Sequence, residues 1–210
     1  MASSSDGSWA KLKRLVRFLI GREAVVWKYG WQQGGEVVCV YSDSDCGGDR
    51  DDRRSTTGGA IMFGHHCWKA WASTQGAVAL SSAEAEFYAM VEGAQRGKWA
   101  ITVAAELGVQ LAGGGLVLNT DSEAAKSFVC RRGLGRMRHI EVRELWLQDE
   151  VRLGKVVVKK VLGTENPADL MTKFLKKSEV LERLWRMGIH WKERGDQLAR
   201  CWADADGNQR

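Results

Sequence analysis

Residues 37–45 read Val37-Val38-Cys39-Val40-Tyr41-Ser42-Asp43-Ser44-Asp45, an apolar and largely β-branched run that ends in two acidic residues. So short and apolar a run is typical of a strand that is buried on both faces. Two interpretations of its acidic end compete. Asp43 and Asp45 can simply open a polar turn, which is the commoner role at an isolated strand end. Alternatively, Asp43 is the first ligand of a divalent-metal site, and carboxylates at comparable places further along the chain would favour this interpretation.

The composition is that of an ordinary globular protein. The 210 residues fit one domain with extensions, and 44% hydrophobic and 27% charged residues are usual for a chain with a packed core. The five scattered cysteines have no zinc-binding spacing, so we interpret them as reduced thiols of an intracellular protein, cytoplasmic or nuclear. No apolar run approaches the ~20 residues of a membrane span, and we see no signal-peptide core. The net charge of +5 permits a polyanionic partner.

The order of predicted elements indicates an α/β fold. Three strands with short connections favour an antiparallel meander, and strands then alternate with helices. This order implies one mixed, five-stranded sheet with helices on both faces. A capping box at 81–84 predicts the start of a long helix that ends near Gly108. The predicted strands cover 37–42, 58–63, 67–72, 116–120 and 155–162, and further helices are predicted at 122–129, 141–153, from Asn166-Pro167, and at 178–187.

Three flanking regions lie outside the predicted domain at 37–190. Residues 1–8 are small and polar, which predicts a disordered N-terminus. Residues 9–36 contain a basic amphipathic helix and a short strand, and they form an appendage before the main fold. Residues 191–210 are polar and predict a mobile C-terminal tail.

Four acidic residues lie at the boundaries of predicted elements. Asp43 and Asp121 each end a strand, and these two strands can be neighbours at the centre of a mixed sheet. Glu86 lies in the first turns of the long helix, and Asp169 opens a late helix. Carboxylates this close repel one another unless a cation neutralises them. Oxygen ligands suit Mg²⁺ or Mn²⁺ rather than zinc, and two such ions ~4 Å apart would fit hydrolysis of a phosphodiester.

The helical spacing allows only one of two neighbouring glutamates to face this site. Glu84 and Glu86 are about 200° apart around a helix. The positions below Glu86 are small and apolar, as contact between a helix and a sheet requires, whereas those below Glu84 soon become polar. We therefore choose Glu86 for the site and predict that Glu84 is a capping or surface residue.

Five sequence blocks follow one another along the chain: Tyr41-Ser42-Asp43-Ser44-Asp45 with Gly48-Asp49 and 52–58, Ala79–Ala89, Thr120-Asp121-Ser122, Arg138–Arg143, and Asn166–Lys173. Together they resemble the ribonuclease H domain of copia-type retrotransposon polyproteins. The resemblance runs from about Trp9 to Arg183, so that residues 9–36 look like the end of the preceding reverse transcriptase region. Cys46 stands where the family commonly has tryptophan, and residues 64–72 diverge.

The resemblance implies a ribonuclease H-like fold and a metal-dependent endonuclease that cuts the RNA strand of RNA–DNA hybrids. Two Mg²⁺ ions, or Mn²⁺, would activate water and stabilise the leaving oxygen, leaving 5′-phosphate and 3′-hydroxyl ends. Asp43 would bridge both ions, Glu86 and Asp121 would share one, and Asp169 would hold the other more loosely. The implied partners are the hybrid and the reverse transcriptase domain of the parent polyprotein.

Basic residues near these acids predict a nucleic-acid contact. Arg50, Arg53 and Arg54 follow the first acid, and a basic loop follows the helix after Asp121. Each cluster alone could equally be a solvated loop. Next to a phosphodiester site we favour phosphate contact, with affinity that falls steeply with salt. The predicted nucleic-acid-binding set is Arg53, Arg54, Ser82, Ser122, Arg131, Arg132, Arg136, Arg138 and His139.

Two other functions are compatible with the residues. One is a catalytically silent nucleic-acid-binding or structural remnant of a retroelement polyprotein. The other is an integrase-like strand transferase, which would also use a carboxylate cluster. The late D-x₃₅-E spacing and the zinc-binding N-terminal motif expected of that class are not found in the sequence.

Overall fold

A computed structural model describes residues 5–20, 22–32, 37–49, 51–113, 115–135, 140 and 145–193. The chain divides into a larger unit, Tyr29–Gly188, and a smaller unit formed by Met1–Lys28 with Ile189–Arg210. Among the described residues, none of the helices is both long enough and apolar enough to span a membrane.

The larger unit is built on a mixed sheet of five strands. The strands are β2 (Val38–Ser44), β3 (Thr56–Phe63), β4 (His66–Thr74), β5 (Leu116–Thr120) and β6 (Val156–Lys160), in the spatial order β4-β3-β2-β5-β6. The first three form an antiparallel meander, whereas β5 is parallel to both β2 and β6. This arrangement confirms the predicted α/β fold class. It also makes the first and fourth predicted strands direct neighbours at the centre of the sheet.

One long helix, α2 (Ser82–Glu106), crosses one face of this sheet. It begins as the capping box predicts, because the side chain of Ser81 accepts a hydrogen bond from the backbone N–H of Glu84. Gly97 permits the close approach, since a Cβ there would lie 2.6 Å from Leu116 and 2.8 Å from Val40. The helices α3 (Glu123–Val129) and α4 (Trp146–Arg152) complete the core on this face, with Phe87 of α2 in edge-to-face contact with Phe128 of α3.

The opposite face carries a 3-10 helix, Pro167–Met171, and α5 (Lys177–Arg186) packs against that helix. The approach depends on Gly58 of β3, because a Cβ there would lie 2.8 Å from the carbonyl oxygen of Ala168. Successive side chains of a strand point to opposite faces, so residues 40 and 42 meet α2 while Asp43 meets the 3-10 helix. The prediction of helices on both faces is therefore confirmed.

The smaller unit contains α1 (Asp6–Leu19), β1 (Arg22–Trp27) and β7 (Ile189–Glu193). The two strands form an antiparallel ribbon, and Phe18 makes an edge-to-face contact with Trp191 at 5.7 Å between ring centroids.

Several predicted element bounds and one predicted helix type differ from the structure. The region 1–8 was expected to be disordered, but α1 starts at Asp6, because the side chain of Ser5 accepts a hydrogen bond from the N–H of Ser8. The tail 191–210 was expected to be mobile, but its first three residues lie in β7, because β1 offers them a pairing edge. The helix that Asp169 opens is a single 3-10 segment rather than an α-helix. The predicted helix at 141–153 is observed only from Trp146, and residues 141–144 lie outside the described part of the chain.

Candidate metal centre

Two parallel strands bring the first two acids together. Asp43 is the sixth residue of β2, and Asp121 directly follows the end of β5, so both lie at the same edge of the sheet. Parallel neighbouring strands end on the same side, and their C-terminal side chains therefore converge. Asp43 is fully buried, while the side chain of Asp121 retains 21% of its exposure.

The third acid reaches the same edge through an asparagine that joins the 3-10 helix to β2. Asn166 is buried, its Nδ2 donates to the carbonyl oxygen of Ser42 at 3.0 Å, and its Oδ1 accepts from the N–H of Ala168 at 3.1 Å. Asp169 follows one turn later and is also buried. The carboxylates of Asp43, Asp121 and Asp169 each offer an oxygen that lies within 4.8 Å of the others.

Glu86 adjoins this cluster of three aspartates, which we call the acidic cluster. Its Oε1 accepts a hydrogen bond from the N–H of Ser44 at 3.4 Å, and its buried Oε2 has no hydrogen-bond partner among the described residues. Burial, together with the charges of Asp43 and Asp121, raises the pKa of Glu86 to about 8 from an ordinary value of 4.5. The contact with Ser44, the residue after Asp43, brings the Glu86 carboxyl to the end of β2, and its role as a metal ligand stays a prediction.

Glu84 points elsewhere. Its Oε2 accepts from the N–H of Leu80 at 2.8 Å, and its Oε1 accepts from the hydroxyl of Tyr88 at 3.0 Å. The carboxylate thus joins the residue before the N-cap to the first turns of the helix, whereas a capping box would use the N–H of Ser81. The predicted alternative of a surface residue is wrong, because Glu84 is only 1% exposed.

Asp45 closes the following loop instead of joining the cluster. Its Oδ1 accepts from the N–H of Thr56 at 2.6 Å, and its own N–H donates to the carbonyl oxygen of Thr56. This contact agrees with its interpretation as a loop residue.

Two cations at the site were not predicted as site residues. The ammonium of Lys173 lies 2.7 Å from Asp169, 3.1 Å from Asp43 and 3.8 Å from Asp121. Arg183 is 5% exposed and donates to Asp169 at 2.9 Å and to three backbone carbonyl oxygens. The spacing of four residues between Asp169 and Lys173 is a signal that could have identified the lysine. Arg183 offered no such signal, because α5 reaches the cluster only through the tertiary fold.

The ionisation of the acidic cluster reflects a balance between burial and these partners. Burial raises the pKa of Asp43 and the charge of Asp169 adds to the rise, whereas the Thr172 hydroxyl and Lys173 oppose it. Burial also disfavours the ammonium of Lys173. Its contacts with Asp169 and Asp43 outweigh that penalty, so that the pKa of Lys173 is raised.

The residues present fit a divalent cation of the Mg²⁺ or Mn²⁺ kind. The donors are all carboxylate oxygens, which hard cations prefer. The buried Oε2 of Glu86 has no donor beside the three aspartates, so it is an oxygen that a bound cation could use. Burial is the largest cause of the raised pKa values of Glu86 and Asp43, and a divalent ion would favour the ionised form of both groups.

The predicted nucleic-acid contacts are only partly described. Arg53, Arg54, Ser82, Arg131 and Arg132 are exposed, and Arg53 has a left-handed backbone with φ of 61°. Arg131 lies over the ring of Phe128, 4.6 Å from its centroid. Ser122 caps α3 by accepting from the N–H of Ala125. The remaining basic residues of the prediction, Arg50, Arg136, Arg138 and His139, lie outside the described residues.

Comparisons with known proteins match most of the chain. It is 30% identical over 177 residues to a retrovirus-related Pol polyprotein from transposon RE2 of Arabidopsis thaliana, covering 82% of this chain and 12% of that protein. It is also 30% identical over 186 residues to the corresponding polyprotein from transposon TNT 1-94 of Nicotiana tabacum, covering 87% of this chain and 14% of that protein. The chain thus spans about an eighth of the length of these relatives, and the predicted resemblance to retrotransposon polyproteins is confirmed.

Solved structures show a weaker likeness, and no family model matches. RNase H1 from the halophilic archaeon Halobacterium salinarum aligns with a TM-score of 0.43 at 18% identity, covering 64% of this chain and 92% of that one. LC11-RNase H1, solved in complex with an RNA/DNA hybrid, aligns with a TM-score of 0.42 at 14% identity, covering 64% of this chain and 92% of that one.

Proposed function

Because this chain belongs to the retrovirus-related Pol polyproteins of transposons, as a homologue of one segment of them, we propose that it is a ribonuclease H. In this proposal it is a metal-dependent endonuclease that hydrolyses the RNA strand of RNA–DNA hybrids. The observation that carries the proposal is the acidic cluster, Asp43, Asp121 and Asp169, with the orphaned carboxylate oxygen of Glu86 beside it.

The proposed roles of the acids follow their positions. Two divalent ions, Mg²⁺ or Mn²⁺, would supply the charge that polarises the scissile phosphate and activates water. Asp43, which adjoins all the other acids, would contact both ions. Glu86 and Asp121 would share one ion, and Asp169 would hold the other more loosely. Because strands β2 and β5 fix the first two carboxylates, little rearrangement of the backbone would be needed to accept the ions.

The proposed substrate is recognised mainly through its phosphates and sugars. Exposed basic residues supply the phosphate contacts in this proposal, namely Arg53, Arg54, Arg131 and Arg132, and the net charge of +5 favours a polyanion. Choice of the RNA strand would rest on its 2′-hydroxyl groups and on the shape of the hybrid rather than on base edges. Ser82 and Ser122, with Arg136, Arg138 and His139, remain proposed contacts.

The wider setting of the chain is part of the same proposal. We infer a copia-type element, in which residues 9–36 would derive from the end of the reverse transcriptase region and the reverse transcriptase domain would be a partner. The expected location is intracellular, cytoplasmic or nuclear.

A substrate panel tests the proposal against its alternatives. The protein is incubated with Mg²⁺ or with a chelator, together with an RNA–DNA hybrid whose RNA strand is labelled, the same RNA alone, and a DNA duplex. A ribonuclease H cuts only the hybrid, only in Mg²⁺, and leaves 5′-phosphate ends. No cutting of any substrate would instead support a silent nucleic-acid-binding remnant, and joining of DNA strands would support an integrase-like transferase.

A further inference from the structure

The ammonium group of Lys173 lies where the negative charge of the site is greatest. It contacts Asp169 at 2.7 Å and Asp43 at 3.1 Å, and Asp121 is 3.8 Å away. Three of the four acids that we propose as metal ligands therefore share one side-chain cation.

The protein's own donors contact both oxygens of two of these acids. Asp43 accepts from Lys173 through Oδ1 and from the hydroxyl of Thr172 through Oδ2. Asp169 accepts from Lys173 through Oδ1 and from Arg183 through Oδ2. A metal ion that joined Oδ1 of Asp43 to Oδ1 of Asp169 would compete with the ammonium of Lys173, which contacts both atoms.

The side chain of Lys173 can move away from the acidic cluster, whereas that of Arg183 is held in place. The side chain of Lys173 is 41% exposed, so its ammonium can turn into solvent without breaking any packing around a buried group. The Arg183 side chain is only 6% exposed and is fixed by the carbonyl oxygens of Asn166 and Gly163. Arg183 therefore stays with Asp169 while Lys173 is the exchangeable cation.

We propose that Lys173 is a resident cation that occupies the acidic cluster until a divalent ion displaces it. This inference rests on the proposed metal-dependent function and adds a competition that the proposed function does not require. Without metal, Lys173 neutralises part of the cluster and holds the 3-10 helix against β2. When a divalent ion binds, the ammonium moves into solvent, so metal binding is weaker than the carboxylates alone would make it.

Mn²⁺ binding measures the competition directly. Free Mn²⁺ is followed by electron paramagnetic resonance in titrations of the wild-type chain, Lys173→Met and Lys173→Gln. Removing the competing charge is expected to lower the Kd for Mn²⁺ at least tenfold. Lys173→Gln keeps a hydrogen-bond donor for the carboxylates, so it serves if Lys173→Met does not fold without metal. Lys159→Met is the matched control, because it removes an equal charge from an exposed position on β6.

Chemical labelling of the wild-type chain provides a second readout that does not depend on a variant. Acetylation of each lysine by an amine-reactive ester is followed by mass spectrometry with and without saturating Mn²⁺. Displacement is expected to raise the labelling rate of Lys173 several-fold and to leave that of Lys159 unchanged.

The outcomes separate this inference from the proposed function. A lower Kd in the Lys173 variants together with faster labelling of Lys173 in Mn²⁺ supports the competition. If Mn²⁺ binds but the Kd is unchanged or higher in these variants, or the labelling rate does not rise, Lys173 is not a competitor and the metal site itself stands. If neither the wild-type chain nor any variant binds Mn²⁺, the proposed metal site and this inference both fail.

Discussion

Replacing Glu86 with Gln is expected to stabilise the metal-free protein in alkali and to leave its stability in acid almost unchanged. Glu86 keeps its proton in the folded state until the pH reaches about 8, whereas in the unfolded chain the pKa is the ordinary 4.5. Between these values the folded state binds one more proton than the unfolded state. The free energy of unfolding therefore falls as the pH rises through this window.

The size of the effect follows from the two pKa values. Each pH unit of the window removes about 1.4 kcal/mol, so the full cost of ionising Glu86 in the folded state is of the order of 5 kcal/mol. Relaxation of the site and entry of water reduce this ceiling, and we expect a gain of roughly 2–4 kcal/mol for Glu86→Gln at pH 9. At pH 4, where Glu86 is protonated in both states, the gain disappears.

Urea unfolding at pH 4 and pH 9 in the presence of a chelator measures this difference. Glu84→Gln is the matched control, since it makes the same change two residues earlier in the helix, at a carboxylate that accepts from the N–H of Leu80. It is expected to cost about 1 kcal/mol at both pH values through weakened hydrogen bonds. The reasoning is refuted if Glu86→Gln is destabilising at pH 9, or if its effect is the same at both pH values.

Three further predictions concern packing, a buried ion pair and nucleic-acid binding. Gly97→Ala forces a Cβ to within 2.6 Å of Leu116, and urea unfolding should show that the free energy of unfolding falls by about 1–3 kcal/mol. The loss should be larger than that for Gly93→Ala, where the atom nearest to the new Cβ is 3.1 Å away, and equal losses would contradict the packing argument. Arg183→Met removes the buried one of the two cations that pair with Asp169 and leaves its Oδ2 without a donor, so it should cost about 3–5 kcal/mol in the same assay. The exposed Arg186→Met should cost less than about 1 kcal/mol, and similar costs for both variants would count against the buried pair. Arg131→Ala with Arg132→Ala should reduce the slope of log affinity for an RNA–DNA hybrid against log salt by about 1–2, and Arg152→Ala should not; an unchanged slope in the double variant would remove these residues from the interface.

The sequence was sufficient to predict those parts of the site that depend on regular elements. The alternation of strands and helices predicted that the strand of Asp43 and the strand of Asp121 could be neighbours, and β2 and β5 are adjacent and parallel. Helical spacing separated Glu86 from Glu84, because a rotation of about 200° is a property of the helix itself.

The parts that could not be predicted depend on contacts between distant segments. Asn166 joins β2 through a hydrogen bond across 124 residues, and β7 pairs with β1 across more than 160 residues. Neither pairing leaves a local pattern in the sequence. Arg183 is a basic residue in an amphipathic helix, and only the fold shows that it is buried against Asp169. The positions of Lys173 and Arg183 at the site could therefore not be predicted from the acidic residues alone.

The most direct measurement for the central claim is the single-turnover rate of RNA-strand cleavage in a hybrid with Mg²⁺, for the wild-type chain and Asp43→Asn. Asp149→Asn is the control, because it removes one negative charge from a side chain that is 68% exposed. If the acidic cluster performs the hydrolysis, Asp43→Asn lowers the rate by the order of 100-fold or more, the scale for losing one preorganised charge-stabilising group, and Asp149→Asn leaves it unchanged. An Asp43→Asn protein that folds normally and cuts the hybrid at the wild-type rate would contradict the account.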